Sequence, residues 1–341
     1  MDSVTQIILG AAVGKLAGGK KFGNKAALWG AIGGTIPDLD VLMGLIYDPV
    51  SYLMIHRGFS HSIFFAPLTA PLFALIPWFL HKNSQSDYKT WLNVFFWALF
   101  THPILDLFTG YGTQLLNPFS NYGFEINSLF IIDPIYTLIL GSFLIMSLLS
   151  RNKSRFKLLL YRGLTISCLY IALTVGFKLY SQQHIRSQAE AQGVEIQSMM
   201  TIPGPLSSFL WRGLIQTEEG FYQTYFSVFD SKSDTLNFHY TRKSHPYTEE
   251  YSASRAVQTL QWFSKGYYVA NFDPNFEEYR SFDLRFGTAL GWDGNYDGYI
   301  FTFYVFKDPN GDILFSQRPN PLEITGNDMY RLLLRTFSLH D

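Results

Sequence analysis

The stretch THPILDLFTG, residues 101–110, places His102 and Asp106 four positions apart, directly after the apolar run WLNVFFWALF. On a helix that spacing puts an imidazole and a carboxylate on one face, where both can ligate one ion. Two other stretches carry matching groups: PDLD, with Asp38 and Asp40, and HRGFSH, with His56, Arg57 and His61. Imidazole nitrogens and carboxylate oxygens are the donors that suit Zn, Mn or Fe. Cys168 is the lone cysteine, so a metal here must use His, carboxylate and water. Asp38 and Asp40 would diverge on a regular helix, but Pro37, preceded by Gly33 and Gly34, predicts a break that lets both aim at one centre. His56 and His61, with Gly58 between them, fit a loop entering a helix that Ser60 caps. Arg57 beside a metal suits an anionic, phosphoryl-type group; anchoring at lipid headgroups is the competing role.

These groups must be held by the surrounding elements. Of 341 residues, 48% are hydrophobic and only 16% charged, against about 25% charged in an ordinary soluble domain. The formal net charge of −1 offers no basic field for nucleic acid. A hydrocarbon core about 30 Å thick needs roughly 20 apolar residues in helix. Runs 62–80, 91–108, 129–149 and 158–180 fit that length. Runs 4–17 and 26–47 are shorter or interrupted, and their Gly and Ala predict a closely packed hairpin. The N-terminus is unlike a signal peptide, because its lysines follow the apolar segment.

The expected fold is therefore an α-helical polytopic membrane domain of about six segments, followed by an α+β extramembrane domain. The expected boundaries are 1–180 for the membrane domain with the metal site, 181–200 for a linker helix and 201–341 for the extramembrane domain. Lys15, Lys20, Lys21 and Lys25, then Lys82 and Lys89, then Arg151, Lys153, Arg155 and Lys157 fall in alternate connections. The positive-inside rule makes those cytoplasmic. PDLD, HRGFSH and HPILD then converge on the outer side, as does the C-terminal domain of a multi-pass inner-membrane protein.

Beyond Gly220 come aromatic runs with strand character, FYQTYFSVFD, TLNFHYT, GYYVANFD, YRSFDLRFG, YIFTFYVFKD and DILFSQR, with helices expected over 252–264 and 321–336. DGNYDG and DPNGD read as turns, since neither has the full EF-hand loop. His81, His184, His239, His245 and His340 lack acidic company and read as surface residues. Asp133 reads as a helix N-terminal acid, and Asp2 and Gln6 as capping and packing.

Taken together, MDSVTQIILGAAVG, ALWGAIGGTIPDLDVL, HRGFSHS and THPILDLFTGYGTQLLNPFS resemble the YdjM-type membrane-bound metal-dependent hydrolases over residues 1–180, and WFSKGYY and DLRFG resemble the longer members. The resemblance implies metal-dependent hydrolysis, with Asp38, Asp40, His56, His61, His102 and Asp106 at the matching positions. Many relatives carry His where this chain has Gln6, a poor ligand. A distant similarity to zinc-dependent phospholipase C and P1-type nucleases points toward phosphoesters. The expected activity is attack of metal-activated water on an ester or phosphoester of an amphiphilic or lipid-linked substrate at the outer membrane face. Zn ranks first as the ion, with Mn or Fe as alternatives; Asp40 or Asp106 would be the base, and Arg57 the clamp. The lipid bilayer is the expected partner. The competing expectations are a transporter using the same ligands transiently, and a non-catalytic scaffold with a structural metal and a partner-binding outer domain.

Overall fold

A computed structural model describes residues 1–81, 87–150, 152–243, 247–318 and 324–339. Lys82, Arg151, His245, His340 and the expected helix start at 321 lie outside these residues. The chain divides into two compact units, one of 1–45 and 55–175 and the other of 46–54 and 176–341.

The first unit is helical. Helix α1 (Ser3–Phe22) is capped by Asp2, whose side chain accepts from the Thr5 N–H, and it turns at Gly23 into α2 (Asn24–Thr35). The two helices touch through glycine: a Cβ on Gly30 would lie 2.3 Å from the Gly10 carbonyl oxygen, and one on Gly34 would lie 2.7 Å from that of Gln6. This backbone contact brings the start of α1 beside the end of α2. A nine-residue 3-10 segment, Pro37–Leu45, follows. After α3 (Pro49–Ile55) comes a short 3-10 turn, Phe59–His61, and then α4 (Phe65–Leu80), α5 (Tyr88–Asp106) and α6 (Pro134–Leu149). Asp133 caps α6 through the Tyr136 N–H and also accepts from the Tyr170 hydroxyl. Helix α7 (Lys153–Ala191) runs for 39 residues, so the polar stretch after 180 continues the same helix.

The six-segment expectation does not hold. Among the described residues, one helix, Ser154–Ala191, is long and apolar enough to cross a membrane. The count reaches two if Pro49–His61 and Phe65–Leu80, bent by 73°, form one broken span. The reasons are physical. Helix α6 has 16 residues, about 24 Å, short of the roughly 30 Å core. Helix α5 is long enough, but Lys89, Asn93, His102 and Asp106 make it too polar. Helix α1 has the length, yet it is built from Gly and Ala and includes Lys15, Lys20 and Lys21. Small residues serve close packing and add little hydropathy. The outer placement of the C-terminal domain rested on six crossings and falls with them.

The second unit carries two four-stranded antiparallel sheets. The first runs β1 (Ser198–Pro203), β2 (Leu210–Gln216), β3 (Gly220–Ser227), β4 (His239–Arg242). Helices α8 (Glu249–Ser252) and α9 (Arg255–Ser264) precede the second sheet, β5 (Tyr268–Asp273), β6 (Glu278–Asp283), β7 (Thr302–Lys307) and β8 (Ile313–Gln317). Helix α10 (Gly326–Thr336) closes the chain's described elements with a capping box between Thr325 and Asp328. Leu214 and Phe221 of the first sheet share a core with Val269 of the second. Strands β1 and β2 are additional to the sequence expectation. Strand β2 is buried at six of its seven positions, so it lacks the alternation of a half-exposed strand.

Candidate metal centre

Three elements of the helical unit supply the centre. The 3-10 segment after α2 presents Asp38, the 3-10 turn at Phe59–His61 presents His61, and the last turns of α5 present His102 and Asp106. One ligand atom from each of these four residues lies within 4.8 Å of every other. His61 Nε2 is 3.2 Å from His102 Nε2 and 3.5 Å from Asp106 Oδ2. Asp38 Oδ1 is 3.4 Å from both imidazole Nε2 atoms, and His102 Nε2 is 3.8 Å from Asp106 Oδ2. Donors placed roughly 2.0–2.1 Å from one zinc ion sit about 3.3 Å apart in a tetrahedron. The spacing fits such an ion.

Proton placement gives the same answer. His102 Nδ1 lies 2.6 Å from the Gly34 carbonyl oxygen, which can only accept, so Nδ1 carries a proton and Nε2 is the atom turned to the other donors. Ser60 Oγ donates to Asp40 Oδ2 at 2.9 Å and faces His61 Nδ1 at 2.9 Å, so that nitrogen also carries its proton. Asp106 Oδ2 is buried and accepts no hydrogen bond. The Nε2 atoms of both rings and two carboxylate oxygens therefore converge, while each Nδ1 is bonded away from them. A cation at their centre satisfies all four.

The other expected residues surround this set. Asp40 stands behind His61, with Oδ2 at 3.3 Å from His61 Nδ1, accepting from the Arg57 N–H at 2.8 Å, and Oδ1 at 2.9 Å from His56 Nδ1. That is the carboxylate–histidine arrangement that orients a metal-bound imidazole. Ser60 serves the same pair and does not cap a helix. His56 is paired with Asp40 and sits edge-on to Tyr111, away from the four-donor set. Arg57 is buried, holds a left-handed backbone conformation at φ 55°, and places Nη1 3.4 Å from Asp106 Oδ2. Its guanidinium stacks on Tyr111 and bonds Thr109, while its Nε is buried without a partner.

Gln6, read from the sequence as a packing residue and a poor ligand, and Met1, which no sequence expectation named, also reach the centre. Gln6 donates to Asp106 Oδ1 at 2.9 Å and to the His102 carbonyl at 3.2 Å, so it steadies α5 rather than ligating. The Met1 amino group is buried and ion-paired to the same Asp106 oxygen. Packing of α1 against α2, α5 and α6 brings this end of α1 to the centre, and no motif spacing signals it.

Asp38, Asp40 and Asp106 are all shifted toward the ionised form. Burial pushes Asp38 up, but hydrogen bonds with His102 and His61 outweigh it and hold the group below the usual carboxylate range. Asp40 is likewise raised by burial and lowered further by His56 and His61. Burial also opposes ionisation of Asp106, which Arg57 and the Met1 amine overcome. The resulting negative field favours a cation among the ligands.

The model of a family described as YdjM inner membrane protein matches residues 1–185. The uncharacterized protein YfhP of Bacillus subtilis is 28% identical over 237 residues, covering 65% of this chain and 67% of that protein. No solved structure matches the chain.

Proposed function

The chain belongs to the YdjM inner membrane protein family, and on that premise we propose that it is a metal-dependent hydrolase acting on an ester or phosphoester of an amphiphilic or lipid-linked substrate. The observation that carries the reading is the convergence of Asp38, His61, His102 and Asp106 with both imidazole Nδ1 protons committed elsewhere. Zn suits the His and carboxylate donors best, with Mn or Fe next. Such an ion supplies Lewis acidity for hydrolysis near neutral pH.

The chain's own residues then divide the work. His61 and His102 would hold the ion through Nε2, on rings that Asp40 and Gly34 keep in place. Asp38 is the most open of the four ligands, its side chain 25% exposed, so substrate approaches past it. Arg57, its Nε unpaired, binds an anionic oxygen of the scissile group. Asp106 would either serve as a ligand or accept the proton of the attacking water, while its second oxygen is held by Gln6. Exposed Leu68, Leu72 and Leu138 give the helical unit apolar faces for lipid, consistent with an amphiphilic substrate.

A second reading has its own support. Four protein donors close a tetrahedral shell, as structural zinc sites do. Protein reconstituted in nanodiscs, loaded with Zn and offered phosphomonoester, phosphodiester and carboxylic-ester lipids separates the two. Turnover that disappears in Arg57→Ala while metal content persists supports the hydrolase. Full metal occupancy without turnover on any of the three supports the structural metal.

A further inference from the structure

A second site lies in the β-sheet unit and shares no residue with the metal centre. A cleft of about 990 Å³ opens at the β5–β6 turn, between α8 and strands β7 and β8. Its size falls at the upper end of small-molecule sites, roughly 300–1,000 Å³. Tyr251 and Tyr279 form its buried wall, with ring centroids 4.9 Å apart. Phe272, in β5, and Phe276, in the tight turn after it, stand at its mouth, 51% and 65% exposed; such a turn ordinarily carries polar side chains. Glu277, beside Phe276, holds a left-handed φ of 50°. For a non-glycine residue that conformation is strained and marks places where a fold fixes a particular side-chain arrangement.

Four of the five charged side chains lining the cleft form two ion pairs, and Glu277 adds one negative charge. Glu278, 3% exposed, accepts from Arg318 Nη1 at 3.2 Å and Nη2 at 2.7 Å. Glu250 meets Lys307 at 2.6 Å. An anion would enter against Glu250, Glu277 and Glu278. A cation would compete with Lys307, which already lies over the Tyr251 ring. What fits is a neutral ligand with apolar faces for the rings and hydroxyls for the half-exposed Arg318 guanidinium that Glu278 holds in place. A pyranose ring has both.

We infer that this cleft is a saccharide-binding site, taking a neutral oligosaccharide with one sugar face against Phe272 and Phe276 and its hydroxyls on Arg318, which Glu278 positions. The inference stands independently of the hydrolase reading.

The test uses full-length protein in phospholipid nanodiscs free of glycosidic detergent. Chitotriose, cellotriose and maltotriose are each offered at low-millimolar concentration, and saturation-transfer NMR reads their contact with the protein. Binding of at least one trisaccharide is expected. The Phe272→Ala/Phe276→Ala variant, whose changed residues are solvent-facing, should weaken it by roughly tenfold or more. Glu278→Gln should weaken it as well, and His102→Ala should bind as the wild type does. No transfer to any of the three sugars, competition by choline chloride or inorganic phosphate, or unchanged affinity in the double variant would overturn the inference.

Discussion

His61 Nε2 and His102 Nε2 face each other at 3.2 Å, each ring having its Nδ1 proton directed elsewhere. Two lone pairs at that distance repel unless a proton or a metal ion lies between them. The pair therefore sets what the centre needs, and Asp38 and Asp106 add the negative charge that favours a divalent ion.

The residues behind the ligands have a measurable part. Asp40→Asn keeps the shape but loses the charge that holds His61 Nδ1. Zinc affinity, measured by competition with a chelator, should fall about 10- to 100-fold while stoichiometry stays the same. An unchanged affinity would remove Asp40 from the account.

The glycine contact between α1 and α2 makes a second prediction. In Gly30→Ala the new Cβ would meet the Gly10 carbonyl oxygen at 2.3 Å and the Gly14 Cα at 2.8 Å, both backbone atoms. Thermal unfolding should show a loss of roughly 1–3 kcal/mol or more. Because this contact brings Gln6 and Gly34 to the centre, metal affinity should fall along with stability. Gly176→Ala, with nothing within 4 Å, is the control and should do neither.

In the β-sheet unit, Asp230 accepts from Arg335 at 2.8 and 2.9 Å and from the Ser338 hydroxyl. Burial pushes its carboxyl up, but Arg335 and Ser338 prevail and its pKa is lowered. A depressed carboxylate adds stability above its unfolded pKa, about 3.9, and loses it as pH falls through the folded value. Asp230→Asn should destabilise by about 2 kcal/mol at neutral pH. That difference should shrink progressively below about pH 4. A difference that holds constant from neutral to acid pH would contradict the charge-based assignment.

Much of the centre is legible in the order of the residues alone. His102 and Asp106 share a helix face because of their spacing, and PDLD and HRGFSH carry the remaining donors. The division of labour is less legible. Asp38 and Asp40 are chemically identical, and only the 3-10 path after Pro37 turns one toward the ion and the other toward His61 Nδ1. Gln6 acts through Asp106, a contact made by helix packing that no local spacing encodes. The membrane count fails because apolar composition along a run does not reveal where a helix stops. The run 129–149 becomes a helix only from Pro134, after the Asp133 cap. The run 26–47 leaves the helix at Thr35.

The central claim is best tested by metal content. Protein purified without added metal, then dialysed against Zn, Mn or Fe, is measured by plasma emission beside His61→Ala, His102→Ala and Asp38→Ala. The structure predicts about one tightly held ion per wild-type chain. His61→Ala and His102→Ala should lose it, and Asp38→Ala should hold it weakly. Wild-type protein that remains metal-free with all three ions, or His102→Ala that keeps its full complement, would contradict the account.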